Sequence, residues 1–200
     1  STCTTTGDGT VSALLAPFTR SATPWPIIAT STSAPRTTTV TRRRPSPCTE
    51  ARQRTVTEFI VPALLSDAPG ITRVLDRLAA YVAEDVRCQS PALLTTSRTE
   101  LVSALVDGDD AVTNVSVTLS DLALVGSTSF VEWRLWGRFT HPTFLDDDVM
   151  IEASGRPVTA VGAMVLSFDG DRVAEIRCYY DPADLDAQLL QYSGHRTHGR

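Results

Sequence analysis

The fold is decided by the stretch PVTAVGAMVLSFDGDRVAEIRCYYDPADLDAQLLQY, residues 157–192. Apolar and polar residues alternate on both sides of FDGDR, which predicts two antiparallel strands. Within FDGDR, Asp169 and Gly170 form the dipeptide that favours a tight type I′ hairpin turn. Pro182 then suits the first turn of a helix. The stretch therefore predicts a β-hairpin followed by a helix that docks on the sheet through its leucines.

Two further strands are predicted upstream, in VTNVSVTLSDLALVG (residues 112–126) and FVEWRLWGRF (residues 130–139). In the second, apolar and mostly polar positions alternate, with Val131, Trp133, Leu135 and Phe139 opposed to Glu132, Arg134, Trp136 and Arg138. Only one of the two tryptophans can therefore face a pocket. We assign that role to Trp133, because its strand neighbours make the apolar face.

Helical patterns precede the strands. GITRVLDRLAAYVAEDV (residues 70–86) carries one apolar stripe at helical spacing and predicts a helix that closes at Glu84 and Asp85. SRTELVSALVDGDD predicts a second helix that Gly108 stops. TVTEFIVPALLSDAPG predicts a short apolar helix or turn interrupted by Pro62. Helices followed by long antiparallel strands and a short last helix indicate the α+β class, with helices on one face of a curved sheet.

The charge divides the chain into two unlike parts. The whole chain has 200 residues, 42% of them hydrophobic, and a net charge of −5, which fits one domain. Residues 1–56 hold seven arginines and two acids, whereas residues 57–200 hold eleven arginines and 21 acids. The first part is rich in threonine, serine and proline without an apolar period, so we predict a disordered extension over 1–56. The domain is then 57–192 and the flexible tail 193–200.

Several classes of function lack support in the sequence. The arginine cluster at residues 42–44 is a phosphate-binding arm or a solvated linker, and the acidic domain favours the linker. No nucleic-acid partner is expected, because the acidic domain would repel a phosphate backbone. No membrane partner is expected either, because no apolar run is long enough to span a bilayer. Four scattered cysteines without a C-x-x-C pair fit a reducing cytoplasm. The acidic run at residues 146–148 lacks the spaced oxygen ligands of a cation loop, so no metal is expected. The sequence also has no P-loop and no dinucleotide fingerprint, so no cofactor is expected.

The stretch SGRPVTAVGAMVLSFDGDRVAEIRCYYDPADLDAQL, preceded by FVEWRLWGRF, resembles the SnoaL-like branch of the nuclear transport factor two-like superfamily. The shared pattern is an aromatic strand containing Glu-Trp, a glycine before the next strand, the FDGDR hairpin and the final helix. The resemblance covers roughly residues 68–191. It implies a cone-shaped, strongly curved antiparallel sheet, with N-terminal helices on its concave face around a pocket for a small apolar molecule. It also implies a homodimer.

The resemblance directs attention to Asp181, which matches the acid/base aspartate of the polyketide cyclases. Asp181 ends the last predicted strand, where aromatic neighbours would raise the pKa of its carboxyl group. The alternative is that Asp181 caps the following helix, and strand alternation places it on the side of Tyr179. His141 is a second acid/base candidate or an exposed loop residue. We predict Trp133, Tyr81 and Tyr179 as pocket residues.

Members of this superfamily include cyclases, isomerases, epoxide hydrolases, dehydratases and proteins without catalysis, so the fold does not select a reaction. We predict a cofactor-free acid/base enzyme, a cyclase, isomerase, dehydratase or hydratase, for a small apolar carbonyl or polyketide-like substrate. The alternative is a ligand-binding or dimerisation module of the same fold. Alternating charges at Glu132, Arg134, Glu175 and Arg177 fit a dimer-facing surface.

Overall fold

The computed structural model describes residues 46–66, 78–106, 111–146 and 149–192. The helices are α1 (Pro47–Leu65), α2 (Arg98–Val106) and α3 (Pro182–Tyr192). The strands are β1 (Val82–Gln89), β2 (Leu94–Thr95), β3 (Val112–Val125), β4 (Thr128–Phe139), β5 (Thr143–Asp146), β6 (Val149–Ile151), β7 (Pro157–Asp169) and β8 (Arg172–Tyr180). Residues 78–81, directly before β1, are also helical.

Six strands form one curved, unclosed sheet in the order β2-β1-β8-β7-β4-β3, while β5 and β6 make a separate pair. The α+β class predicted from the sequence is confirmed. The sheet is mixed, because β1 runs parallel to β8 while the other pairs are antiparallel. The curved antiparallel sheet predicted from the sequence therefore forms with one parallel pairing. Parallel neighbours need a long connection, and here it carries most of the domain.

The β7–β8 hairpin forms where the sequence predicts it, with a different turn. Asp169 pairs with Arg172, so the two loop residues are Gly170 and Asp171. Gly170 has φ 58°, and Asp171 is not among the residues with positive φ. A glycine with positive φ at the first loop position alone is typical of a type II′ turn rather than type I′. The loop therefore lies one residue later than the dipeptide suggested.

Strand alternation gives the sheet one apolar face, which we call the inner face. The predicted inward residues of β4 are buried, as are their neighbours on β7 and β8. They form one core with α1, α2 and β1, whose largest buried side chains include Trp133, Leu166, Ile176, Ile60, Leu64 and Leu101. A second cluster joins the far end of β4 to α3 through Phe139, Val158, Leu185 and Leu189. The helices thus cover the inner face.

The N-terminal helices differ from their predicted bounds. The predicted helix does not continue to Glu84 and Asp85, because β1 begins at Val82 and pairs with β8. This pairing with a distant strand outweighs the local helical pattern, as tertiary contacts often do. The helix α1 begins at Pro47, before the predicted domain start at 57, with the Ser46 side chain capping it. Residues 1–45 and 67–77, and Gly108 as a helix stop, lie outside the described residues.

The helix α1 is fixed to the sheet by polar contacts. The Thr57 hydroxyl donates to the Gln53 carbonyl oxygen at 2.8 Å and lies 2.9 Å from the Ser129 hydroxyl of β4, and all three residues are buried. At the surface, Arg52 forms a 3.1 Å ion pair with Asp171 in the β7–β8 turn. Residues 52–56, assigned to the extension from the sequence, therefore lie in a helix that packs against the sheet.

Candidate functional site

A row of three residues crosses the middle of the sheet. Trp133 on β4 pairs with Gly162 on β7, which pairs with Tyr180 on β8. A Cβ atom at Gly162 would lie 2.4 Å from Cζ2 and 2.8 Å from Cε2 of Trp133. The indole therefore lies across β7, in the space that any side chain there would fill. Its ring centroid is 6.3 Å from that of Tyr180, with the two planes at 58°.

Two polar atoms of this row are buried on the inner face. Within the described part of the chain, neither Trp133 Nε1 nor the Tyr180 hydroxyl has a hydrogen-bond partner. The indole N–H does lower the pKa of the nearby Cys178 thiol, but sulfur is only a weak acceptor. Burial raises the pKa of that thiol to about 12, with Cys88 adding to the rise and the Trp133 N–H opposing it. The inner face thus holds two hydrogen-bond donors among apolar side chains.

The Tyr180 hydroxyl is held in its protonated form. Burial is the largest cause that raises its pKa, and the nearby Cys178 thiol and Asp186 carboxylate raise it further. Asp186 belongs to α3, is half-buried, and has one carboxylate oxygen fully shielded from solvent. A carboxylate therefore lies within electrostatic range of a neutral phenol on the inner side of the sheet.

The helix α3, which carries Asp186, is fixed at two points. At its start, Asp181 Oδ1 accepts a hydrogen bond from the Ala183 N–H at 2.9 Å. Further along, the Gln188 amide donates to the Thr159 carbonyl oxygen at 2.9 Å and accepts from the Thr159 N–H at 3.0 Å. The amide therefore pairs with the β7 backbone as a strand residue would. These bonds hold the helix, and with it the Asp186 carboxylate, against the sheet.

The two predicted acid/base residues lie at the surface. Asp181 is exposed and serves as the cap of α3, the alternative weighed from the sequence. His141 is exposed in the segment after β4, with its Nδ1 atom 3.2 Å from the Thr140 hydroxyl. Asp181 follows Tyr180 in the chain, but the ionisable groups that act on the Tyr180 hydroxyl are Cys178 and Asp186. Their catalytic roles stay predictions.

The three predicted pocket residues are divided between the faces. Trp133 is 1% exposed on the inner face. Tyr81, at the end of the helical turn before β1, is half-buried with its ring 5.5 Å from that of Phe59. Tyr179 is 53% exposed on the opposite, outer face, so its position does not fit a pocket on the inner face. Alternation along β8 gives the physical reason, because Tyr179 and Tyr180 must point to opposite sides.

Sequence reasoning missed Tyr180 and Asp186. A signal for Tyr180 was present, since the alternation in IRCYYD places it with Ile176 and Cys178 on the apolar side. Asp186 had no such signal, because its closeness to Tyr180 depends on how α3 turns back over the sheet.

The described residues contain neither a metal-binding cluster nor a membrane-spanning helix. No group of three histidine, cysteine, aspartate or glutamate side chains there could hold a metal ion. None of the helices seen there has the length and apolar character needed to cross a bilayer.

The buried thiols of Cys88 and Cys178 predict a stability loss at alkaline pH. Burial raises both thiol pKa values from 9.0 to about 12, so the unfolded chain releases these protons first. We expect the free energy of unfolding to be unaffected by these groups below pH 9.0 and to fall above it, by up to about 1.4 kcal/mol per pH unit for each thiol.

Urea unfolding measured across this pH range checks the expectation. The double variant Cys88→Ala, Cys178→Ala should show a shallower decline, whereas the exposed Cys48→Ala should decline as the unmodified protein does. An equal decline in all three proteins would contradict the assignment.

Comparisons with known proteins agree with this architecture. Residues 71–176 match the family model described as SnoaL-like domain. A putative SnoaL-like polyketide cyclase from Jannaschia sp. CCS1 is similar over 76% of this chain and 99% of its own, with 15% identity and a TM-score of 0.58. TsrD from Streptomyces laurentii shows 20% identity over 70% of this chain and 95% of its own, with a TM-score of 0.54.

A third solved structure, an LEH-like epoxide hydrolase of M. tuberculosis, covers 71% of this chain and 92% of its own, with 15% identity and a TM-score of 0.51. Among curated proteins, no relative matches the chain. At these identities the solved structures establish a shared fold, and the fold alone does not specify a reaction.

Proposed function

This chain belongs to the SnoaL-like domain family, and from that premise we propose that it is a cofactor-free acid/base enzyme for a small, largely apolar carbonyl compound. One observation carries the proposal. The half-buried Asp186 carboxylate lies within electrostatic range of the buried, protonated Tyr180 hydroxyl. A carboxylate can accept a proton from a carbon next to a carbonyl group, and a neutral phenol can donate a hydrogen bond to the carbonyl oxygen.

The proposed chemistry needs only these groups. The C–H bond next to the carbonyl breaks, its proton moves to Asp186, and its electron pair forms the enolate, whose oxygen Tyr180 stabilises. Returning the proton to a different carbon gives isomerisation. Attack of the enolate carbon on a second carbonyl of the same molecule gives cyclisation, with the new alkoxide taking up the proton. A polyketide-like substrate would suit the second outcome.

In this proposal Asp181 is a positioning residue. Its carboxylate caps the N-terminus of α3 and so helps to set the place of Asp186 on the same helix. The sequence-based prediction that Asp181 itself moves the proton remains a separate alternative.

Deuterium exchange tests the function without knowledge of the natural substrate. The protein is incubated in D2O with a panel of aryl methyl ketones, including 2-acetylnaphthalene, and proton NMR follows the methyl signal. We expect loss of this signal faster than in buffer or with the heat-unfolded protein. Ketones that bind without exchange at any rate above the solvent background would instead favour a non-catalytic binding module.

We further propose that two copies associate through the outer face of the sheet. This face carries exposed apolar side chains, Phe130, Trp136, Val161 and Tyr179. Acidic and basic residues alternate among them, and Arg177 Nε lies 3.7 Å from Glu175 Oε1. A face with both signs of charge can pair with itself about a two-fold axis.

We also propose a cytoplasmic location. The free thiols of all three described cysteines support a reducing compartment.

Sedimentation velocity tests the homodimer. We expect a dimer at micromolar concentration, with an interface that buries on the order of 1,000 Å² or more. Val161→Glu, at a position 58% exposed in the single chain, should yield a monomer with an unchanged fold by circular dichroism. A monomer already in the unmodified protein would refute the association.

A further inference from the structure

We infer that the Trp133 indole N–H and the Tyr180 hydroxyl together bind the carbonyl oxygen of the substrate, which selects ketones over hydrocarbons of the same shape. This inference rests on the proposed function and adds to it a second donor and a specificity. It concerns a pair of side chains from two strands, with Gly162 between them.

The Trp133 indole nitrogen is buried. Trp133 is 1% exposed, and among the described residues its Nε1 atom meets no oxygen or nitrogen acceptor. A buried donor without a good acceptor weakens the folded state, whereas phenylalanine would fill an apolar position without that cost. A donor kept in this position is explained by an acceptor that arrives with a ligand.

The Trp133 indole extends from β4 across β7. Cε2, the ring carbon bonded to Nε1, would lie 2.8 Å from a Cβ atom at Gly162, so this edge of the ring lies over β7. The same N–H lowers the pKa of the Cys178 thiol on β8, in agreement with an indole that reaches across β7. Sulfur is a weak acceptor, and a carbonyl oxygen would be the stronger one.

The Tyr180 hydroxyl on β8 is a second buried donor. The Tyr180 ring lies 6.3 Å from the Trp133 ring, and its hydroxyl is buried without a partner among the described residues. A phenol is protonated at neutral pH, and burial raises the pKa of this one further. A carbonyl oxygen has two lone pairs and can accept from both groups. Donors fixed before the reaction stabilise the negative charge that grows on an enolate oxygen.

Two matched probes and four variants test the pair. Isothermal titration measures binding of 2-acetylnaphthalene and of 2-ethylnaphthalene, which has the same shape and lacks the oxygen. Infrared spectroscopy measures the carbonyl stretch of the bound ketone. The inner variants are Trp133→Phe and Tyr180→Phe, and the controls are Trp136→Phe and Tyr179→Phe, the same changes at exposed outer positions on the same strands.

We expect each inner variant to weaken ketone binding by roughly 5- to 15-fold and to move the carbonyl stretch to higher frequency. Hydrocarbon binding to the inner variants should change by less than about twofold. The outer variants should bind both probes as the unmodified protein does. If Trp133→Phe fails to fold, Tyr180→Phe still tests the pair. Ketone affinity and carbonyl stretch unchanged in Tyr180→Phe and in folded Trp133→Phe would overturn the donor pair alone. Failure of both probes to bind the unmodified protein would overturn the proposed function as well.

Discussion

Gly162→Ala is expected to lower the free energy of unfolding by about 3 kcal/mol or more, since overpacking of a filled interior costs this much when nothing can yield. The new Cβ atom would lie 2.3 Å from the carbonyl oxygen of Tyr179 and 2.4 Å from the Trp133 ring. A side chain can rotate away, but the carbonyl belongs to the backbone of β8 and is fixed by its pairing with β7. Urea or thermal unfolding followed by circular dichroism measures the loss.

Gly137→Ala is the matched control for this prediction. Gly137 also lies on a strand, and the closest atom to its new Cβ would be Cγ1 of Val112, at 2.5 Å. This atom ends a half-exposed side chain that can turn, so a smaller loss is expected. Equal losses in the two variants would show that the backbone contact at Gly162 is not what requires a glycine there.

Asp186→Asn is expected to slow deuterium exchange into a responsive ketone by roughly 10² or more, the scale for removing a general base. Asparagine keeps the size of the side chain and cannot take up the proton. The melting temperature should change little, because the helix docks through Leu185 and Leu189 instead. NMR exchange rates and thermal unfolding on the same protein samples separate the two effects.

Asp181→Asn decides between the two aspartates. Asparagine caps helices about as well as aspartate, so α3 should keep its place and exchange should stay within a few-fold of the unmodified rate. If Asp181→Asn instead shows the large loss and Asp186→Asn does not, the base is the residue predicted from the sequence resemblance. A large loss in neither variant would remove the carboxylate mechanism.

Much of the fold could be predicted because it depends on alternation within single strands. The pattern around Trp133 and Trp136 assigns each to the correct face without knowledge of any partner strand. The β1 strand could not be predicted in the same way, since residues 82–86 continue the helical spacing of the residues before them and form a strand only beside β8. The start of α1 was missed because residues 49–55 are mostly polar and show no apolar helical period, although a few of them become buried.

The candidate site was predicted only in part. Strand alternation places Trp133 on the inner face, and the C-terminal end of β8, where an acid/base residue was predicted from the sequence, also carries Tyr180. The choice of Asp181 over Tyr180 followed the resemblance, whereas alternation alone favours Tyr180 for the inner face. Asp186 depends on the return of α3 across β7, which the Gln188 pairing with Thr159 fixes. No local pattern encodes that contact.

The parallel pairing of β1 with β8 also sets the order in which a newly made chain can mature. Val82 pairs with Val173, about 90 residues later, which a ribosome takes roughly 5–20 s to add. During that interval β1 has its hairpin partner β2 but not β8, and Val82, Val86 and Cys88 lack the neighbour that covers them. Long-range contacts of this kind form late and slowly. The inner face of the sheet is therefore completed only after β8 has left the ribosome, and until then the nascent chain exposes apolar side chains through which it can self-associate.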